Sequence, residues 1–480
     1  MILPILIFVI VLIVIHKYVF RDIDESEKNF QKIPGPKGLP FLGNIQDLFC
    51  NGEDRWKRLR ARALEYYPIY KMEVLNMKMV HLLDPSDVEV ILGDPKFTSK
   101  GRLYEPSKFW LGEGLLVSAG EKWRKGRKLL TKTFHFGVLK NYMHIFNEQL
   151  EILNKSFESK HGEPAQLTSL LQFHSLRIIC STTVGGQVEI SKKSGESLLN
   201  SLETLTKIVG IKMTIPLMNF LYKFTYLLRE EREALQDYND FAYRLIEKND
   251  DCKDMDEDTD HPRLLKVLLQ NCDSEDVKDH MKNFLFAGQD TMTTTLTFYL
   301  YVLANKPEIQ DEILNEILAI SVNENPTYGE ITQMGLLDRF IKECLRLYSP
   351  APFIGRTVEE DVSLPSGYTI PAGTSVFIDI FDIHRHPKLY PNPEYFDPSR
   401  FLPENCGKRH PYSFIPFSAG PRNCIAQKVA MLGIKTTICG ILKKFRIEPI
   451  GSLEDIIFVP HLLLKSKHPL EVKFIPRVSL

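Results

Sequence analysis

Near its C-terminus the chain reads Phe417-Ser-Ala-Gly420-Pro-Arg422-Asn-Cys424-Ile-Ala426-Gln-Lys-Val-Ala430. A cysteine closes a loop built from Pro416, Gly420 and Pro421, and an apolar run at helical spacing (Ile425, Val429, Leu432) follows at once. The spacing predicts that Cys424 lies on a loop just before a helix, with the helix's free N–H groups and positive end directed at the sulfur. Such surroundings favour a thiolate, the form of cysteine that binds metal. Ala419, Gly420 and Ala426 leave room for a flat, bulky group against the backbone, and Phe417 and Arg422 flank it with a ring and a cation. A lone cysteine is ordinarily a small buried hydrophobe; the string around this one points to chemistry.

Three further strings have the spacing of a built site. Asp276 to Asn305 is a long helical pattern, with Ser274 as its N-cap and Pro307 just past its end. At its centre stands Ala287-Gly288-Gln289-Asp290-Thr291. Glycine inside a helix costs about 1 kcal/mol relative to alanine, so Gly288 needs a reason: a close helix–helix contact, or a flat group passing over the helix. Trp123 and Arg127 are four residues apart and share a helix face, where an indole N–H and a guanidinium suit a carboxylate. Around them Lys122, Arg124, Lys125, Lys128 and Lys132 form a basic stripe; most such stripes are solvated helix faces. Glu343 and Arg346, three apart before Pro350, can pair along a helix, which is worth little if exposed.

Taken together, Phe417-x-x-Gly420-x-Arg422-x-Cys424 resembles the haem-binding loop of the cytochrome P-450 family, the haem-thiolate monooxygenases, and the resemblance runs from about residue 31 to the C-terminus. It implies a mainly α fold with small β-sheets, shaped as a triangular prism, in which a long central helix covers one face of the haem and the cysteine loop the other. Cys424 would then be the axial ligand of the iron of haem b. Phe417, Gly420, Ala287 and Gly288 would contact the ring. Ala287-Gly288-x-Asp290-Thr291 matches the family's oxygen-activating string, with Thr291 as hydrogen-bond donor and Asp290 as proton relay. Trp123 and Arg127 match its W-x-x-x-R, and with Arg356 and Arg422 they would hold the propionates. Glu343, Arg346 and Arg400 (from Pro398-Ser-Arg-Phe401) match a buried structural triad.

Within the family, Trp123-Arg-Lys, Phe134-His-Phe and Arg422-Asn-Cys-Ile resemble the family 4 clan, which includes fatty-acid ω-hydroxylases and many insect enzymes. Two positions depart from the pattern. Ala426 stands where glycine is usual, and its methyl should tighten helix against porphyrin. Ala287 stands where some members esterify a glutamate to the haem, so this haem should be held without an ester, which weakens a strict ω-hydroxylase assignment. In the family this helix lies on the proximal side, where an acidic electron donor docks, so the resemblance implies NADPH-cytochrome P-450 reductase as partner of the basic stripe, with cytochrome b5 as a second.

Composition sets the frame. The chain has 480 residues and a net charge of −1, so no general attraction to nucleic acid is expected. Its 8 cysteines are scattered, without C-x-x-C pairs, which argues against a disulfide framework or zinc site and fits a cytosol-facing catalytic domain. Met1 to Phe20 is apolar until His16 and Lys17, with no basic stretch before it and no cleavage motif after it. It reads as a transmembrane signal-anchor in the endoplasmic reticulum, with the rest of the chain cytosolic. Residues 21–44 are a linker ending in a Pro-rich hinge, and 45–480 the catalytic domain.

Elsewhere Val74 to Leu83 is β-rich, and Asp84-Pro85-Ser86 opens a helix. Phe97 to Val117 is loop-like, with Phe109, Trp110, Leu111, Leu115 and Leu116 facing pocket or core, and Pro352 to Ile354 would line the pocket. Pro216 to Leu228 is apolar, Asp250 to Asp260 acidic, and Tyr368 to Ile378 and Leu462 to Phe474 read as strand pairs turning at Pro371 and Pro469. The expected function is insertion of one atom of O2 into an apolar substrate: a fatty acid, terpenoid, steroid or xenobiotic. A haem-thiolate isomerase or dehydratase would usually lack the Asp290–Thr291 pair, and a non-catalytic haem or ligand carrier would not need the basic stripe.

Overall fold

The computed structural model describes residues 24–477, except 41, 76, 135, 185–187, 215–221, 223–224, 248–262, 322 and 461. The anchor reading at 1–20, the acidic run Asp250 to Asp260 and most of the apolar stretch Pro216 to Leu228 lie outside the described residues. Among those residues no helix is long and apolar enough to cross a membrane.

The architecture is mainly helical. The helices that carry or support the site are α1 (Glu25–Lys32), α2 (Gly52–Glu65), α3 (Pro85–Gly93), α4 (Gly120–Thr131), α5 (Phe136–Glu158) and α6 (Leu167–Val184). They continue with α7 (Lys192–Thr214), α8 (Leu227–Glu247), α9 (Ser274–Ala304), α10 (Gly335–Leu347) and α11 (Gln427–Lys444). The centre is α9, buried along most of its length. Its N-cap is Asp273, whose carboxylate accepts the Asp276 N–H at 2.9 Å, rather than Ser274, which is already in the first turn. Asp84 caps α3 as its sequence suggests. Gly433 and Gly440 let α11 close on α5: a side chain there would press into Phe146 and Leu150.

Eleven short strands form four small sheets among the described residues. The largest has the order β1 (Ile69–Val74), β2 (Met77–Leu82), β7 (Ser375–Ile378), β4 (Ile354–Thr357). β3 (Ala165–Gln166), β11 (Glu471–Pro476) and β8 (Phe445–Ile450) form a second. β5 (Val362–Ser363) pairs with β6 (Thr369–Ile370), and β9 (Phe458–Pro460) with β10 (Leu464–Ser466). The two expected strand pairs are therefore re-partnered. β6 and β7 go to different sheets, and β10 turns back on β9 while β11 joins β8. A proline marked each break correctly, but local pattern does not carry the identity of a distant partner strand.

A buried lock fixes the segment that leads to Cys424. Glu343 and Arg346, both 0% exposed, make two parallel hydrogen bonds of 2.8 Å. Arg346 also donates to the carbonyls of His384 (2.9 Å), Pro393 (2.6 Å) and Tyr395 (3.3 Å), and Glu343 accepts the Asp397 N–H at 2.8 Å. Arg400 approaches Glu343 at 3.5 Å and spends its other nitrogen on the carbonyls of Asn392 and Tyr395. His384 then receives the Ile415 N–H on its Nε2 at 2.9 Å, two residues before Phe417. The pair on α10 thus holds a long loop mainly through backbone groups.

Removing one partner of a buried, hydrogen-bonded ion pair costs about 3–5 kcal/mol. Glu343→Ala should therefore lower the urea midpoint far more than Arg400→Ala, whose contact is longer and whose side chain is 11% exposed; equal losses would contradict this lock. A pH dependence follows from two buried histidines. Burial, with Arg346 and Arg385, pushes the His384 pKa down to about 3, and burial pushes His174 down to about 4. An unfolded histidine titrates near ~6.5, so below that pH the unfolded chain binds more protons and stability falls with falling pH. Between pH 7 and 5 each histidine should cost about 2 kcal/mol of stability, seen as a falling urea midpoint, and His174→Gln should shrink the fall.

Candidate active site

A cavity of about 380 Å³ lies between α9 and the loop that ends at Cys424. Ala287, Gly288, Thr291 and Met292 form one wall, and Phe417, Ser418, Cys424 and Ala426 face it. Cys424 keeps accessible surface and is part of the cavity lining. The loop is held there by the Cys424 N–H, which donates to the Phe417 carbonyl at 2.9 Å. α11 begins at Gln427 with Ala426 as its N-cap. The Ala426 N–H donates to the sulfur, and Arg127 and Lys100 add positive charge, but burial outweighs all three and pushes the thiol's pKa up. The helix end alone does not make a thiolate here. A metal cation on the sulfur would supply the missing charge.

Three cations, Lys100, Arg356 and Arg422, line the cavity, and no aspartate or glutamate does among the described residues. All are buried, and none joins an ion pair among those residues. Arg356 spends one nitrogen on the neighbouring Gly355 carbonyl, and the Lys100 ammonium lies 4.5 Å over the Tyr104 ring. Burial, then mutual repulsion, lowers the pKa of Lys100 well below its usual value and that of Arg422 to about 9. Uncompensated buried cations are expensive. A planar group with an iron for Cys424 and carboxylates for this cluster fits the residues present. Lys100 was missed in the sequence: a single lysine in a turn gives no periodic or motif signal.

Arg422 anchors the loop as well. It donates to the carbonyls of Thr98 and Leu115 at 3.0 Å and to that of Ser118. Its guanidinium lies 4.5 Å over the Trp123 ring. Trp123 and Arg127 do share a face of α4, but neither lines the cavity. Arg127 grips Asn423, next to the cysteine, donating to its carbonyl at 2.7 Å and its side-chain oxygen at 2.5 Å. Gly420 is also off the cavity wall. Its φ of +67° and the Leu92 carbonyl lying where a Cβ would stand demand glycine, rather than room for a bound ring.

On the opposite wall the Thr291 hydroxyl donates to the Ala287 carbonyl at 2.6 Å, so it turns lone pairs rather than its hydrogen to the cavity. Asp290 faces away from the cavity and is paired with Lys465 of β10 at 2.9 Å. Gly288 has the first of its two possible reasons: a Cβ would collide with Ile179 of α6. Of the apolar loop residues, Leu111 and Leu116 line the cavity, whereas Trp110 packs on Phe286 and Tyr238. Phe353 and Ile354 line it and Pro352 does not. In the basic stripe, Lys122 is turned to Asp276 (2.7 Å), leaving Arg124, Lys125, Lys128 and Lys132 exposed. Gly126 is filled from beneath, its missing Cβ lying 3.3 Å from the His280 ring.

Overpacking a core costs roughly 1–3 kcal/mol, while alanine gains about 1 kcal/mol over glycine in a helix. Gly288→Ala should thus lower the thermal midpoint in the native background and raise it when Ile179 is also alanine; a loss in both would point to something other than the α6 contact.

The family model for cytochrome P450 matches residues 33–474. The chain is 32% identical to cytochrome P450 4c21 of Blattella germanica, covering 94% of each chain. It is 31% identical to human cytochrome P450 4V2, covering 91% of this chain and 88% of the other. Its fold superposes on a crystal structure of the cytochrome P450DA heme domain with a TM-score of 0.80 at 21% identity, covering 93% of this chain and 98% of that one.

Proposed function

Because the chain belongs to the cytochrome P450 family, with family 4 members among its relatives, we propose that it is a membrane-anchored monooxygenase that inserts one atom of O2 into an apolar substrate. As a P450 monooxygenase it uses haem. Haem bound in the cavity would supply oxygen activation, with the second oxygen atom leaving as water after uptake of two electrons and two protons. The observation that carries the reading is a cysteine sulfur and a helix threonine facing one cavity that also holds uncompensated cations.

The chain's own residues divide the work. Cys424 holds the iron. Arg356, Lys100 and Arg422 hold the carboxylates, while Trp123 and Arg127 brace that set through Arg422 and Asn423. Ala287 has no carboxyl, so the haem is held without an ester. Leu103, Leu111, Val209, Met213 and Phe353 give the substrate an apolar wall that excludes water. Thr291 offers its hydroxyl at that wall, and Asp290 behind it is the proton relay. The exposed stripe of α4 favours an acidic electron donor, NADPH-cytochrome P-450 reductase, with cytochrome b5 as a second. The apolar run at residues 2–15 supports an anchor in the endoplasmic reticulum.

The test is spectroscopic first. The reduced, CO-bound protein should show the thiolate-type absorption band, and Cys424→Ser should lose it; a band that survives the substitution removes Cys424 as the ligand. Oxygen consumption that requires both NADPH and the reductase then separates a monooxygenase from a carrier. Type I spectral shifts across fatty acids, terpenoids, steroids and xenobiotics would identify the substrate class.

A further inference from the structure

Lys212 stands near the end of α7, next to Met213 and one turn after Val209, both of which line the cavity. It leaves the helix about 60° round from Val209, on the flank of the cavity-facing stripe. Its side chain is 15% exposed, and its ammonium sits in a box. The centre of the Phe109 ring is 3.7 Å from Nζ and that of the Tyr222 ring 4.7 Å, and Glu231 of α8 brings a carboxylate oxygen to 2.6 Å. The Tyr222 hydroxyl donates to that same oxygen at 2.6 Å, so ring and carboxylate are fixed to each other independently of the lysine. Tyr222 and Glu231 are buried, and Phe109 lies between Ser107 and Leu111, two further residues of the cavity wall. Two ring faces and a carboxylate around a cation are the chemistry by which proteins bind alkylated ammonium groups.

We propose that Phe109, Tyr222 and Glu231 form a subsite for the ammonium end of an amphiphilic amine, and that Lys212 holds the place as a built-in competitor. The inference rests on the monooxygenase reading, which makes the cavity the substrate's, and it narrows the apolar substrate to one with a cationic end. Exchanging one ammonium for another keeps the charge in the box constant, so Glu231 is never left buried and unpaired. Lys212 can withdraw, because its flexible stem carries the head to water. An alkylated ammonium is less strongly hydrated than lysine's own, so it is the cheaper of the two to hold against the rings. The apolar tail of such a ligand would run past Val209 and Met213 into the cavity.

Two probes of equal tail length test this: decyltrimethylammonium, whose nitrogen has no free electron pair for a metal, and decanol, both below micelle formation. Titrated into the full-length holoprotein by calorimetry, the ammonium should bind several-fold tighter to Lys212→Met than to the native chain, with decanol unchanged. Adding Glu231→Gln to Lys212→Met should remove the gain. Equal tightening of both probes, or none for the ammonium, overturns the subsite. A second readout covers a destabilised variant. The thermal midpoint that Lys212→Met loses should be recovered by decyltrimethylammonium and not by decanol; recovery by both or by neither overturns the proposal. A native protein without the thiolate-type band would instead sink the monooxygenase reading, and the thermal arm, which needs no turnover, would still decide the box.

Discussion

Three buried cations around one apolar cavity set the constraint from which the rest of the structure follows. Lys100, Arg356 and Arg422 come from three separate parts of the chain, and each is taken out of water without a carboxylate to receive it among the described residues. Desolvating such charges costs several kcal/mol per ion unless an anion joins them. The protein meets part of the cost with backbone dipoles, as when Arg422 draws in the carbonyls of Thr98, Leu115 and Ser118. That arrangement ties the turn before α4 to the loop before α11. A ligand with two carboxylates would complete the balance, so cofactor binding and the closing of this region are one process.

The two walls of the cavity are built by different means. The cysteine wall is a loop, and loops need external fixing: the Glu343–Arg346 pair holds its approach, His384 holds Ile415, and Arg127 holds Asn423. The threonine wall is a helix that supplies its own regularity, and it is set by close packing of α9 on α6 at Gly288. Glycine has opposite uses on the two sides. At Gly420 it permits a backbone angle, and at Gly288 it admits a neighbour's side chain.

Much of this was legible in the sequence because the signals are local. Cys424 before a helix, Trp123 and Arg127 on one face, and Glu343 with Arg346 all depend on spacings within one turn or loop, and in the folded protein each lies as its spacing implies. What was not legible depends on distant parts of the chain. Nothing near Lys465 names Asp290 as its partner 175 residues away, and nothing near Lys100 announces two arginines. The strand pairs failed for the same reason, since β10 and β11 each chose a partner by sheet topology rather than proximity. The thiolate argument fell short on magnitude: the sequence offered the helix end and one flanking cation, Arg422, whereas the charges that reach the sulfur come from Arg127 and Lys100 and burial is the larger effect.

The departure at position 426 has a consequence for how this loop can vary. What Ala426 gives the sulfur is its main-chain N–H, and its side chain does no more than share the cavity wall. An amide is common to every residue except proline. The position is therefore fixed in its backbone and open in its side chain up to the volume the cavity allows. A lineage could exchange glycine and alanine there without touching the sulfur, whereas proline would remove the donor and leave the cysteine in place with only the more distant charges of Arg127 and Lys100 to offset its burial.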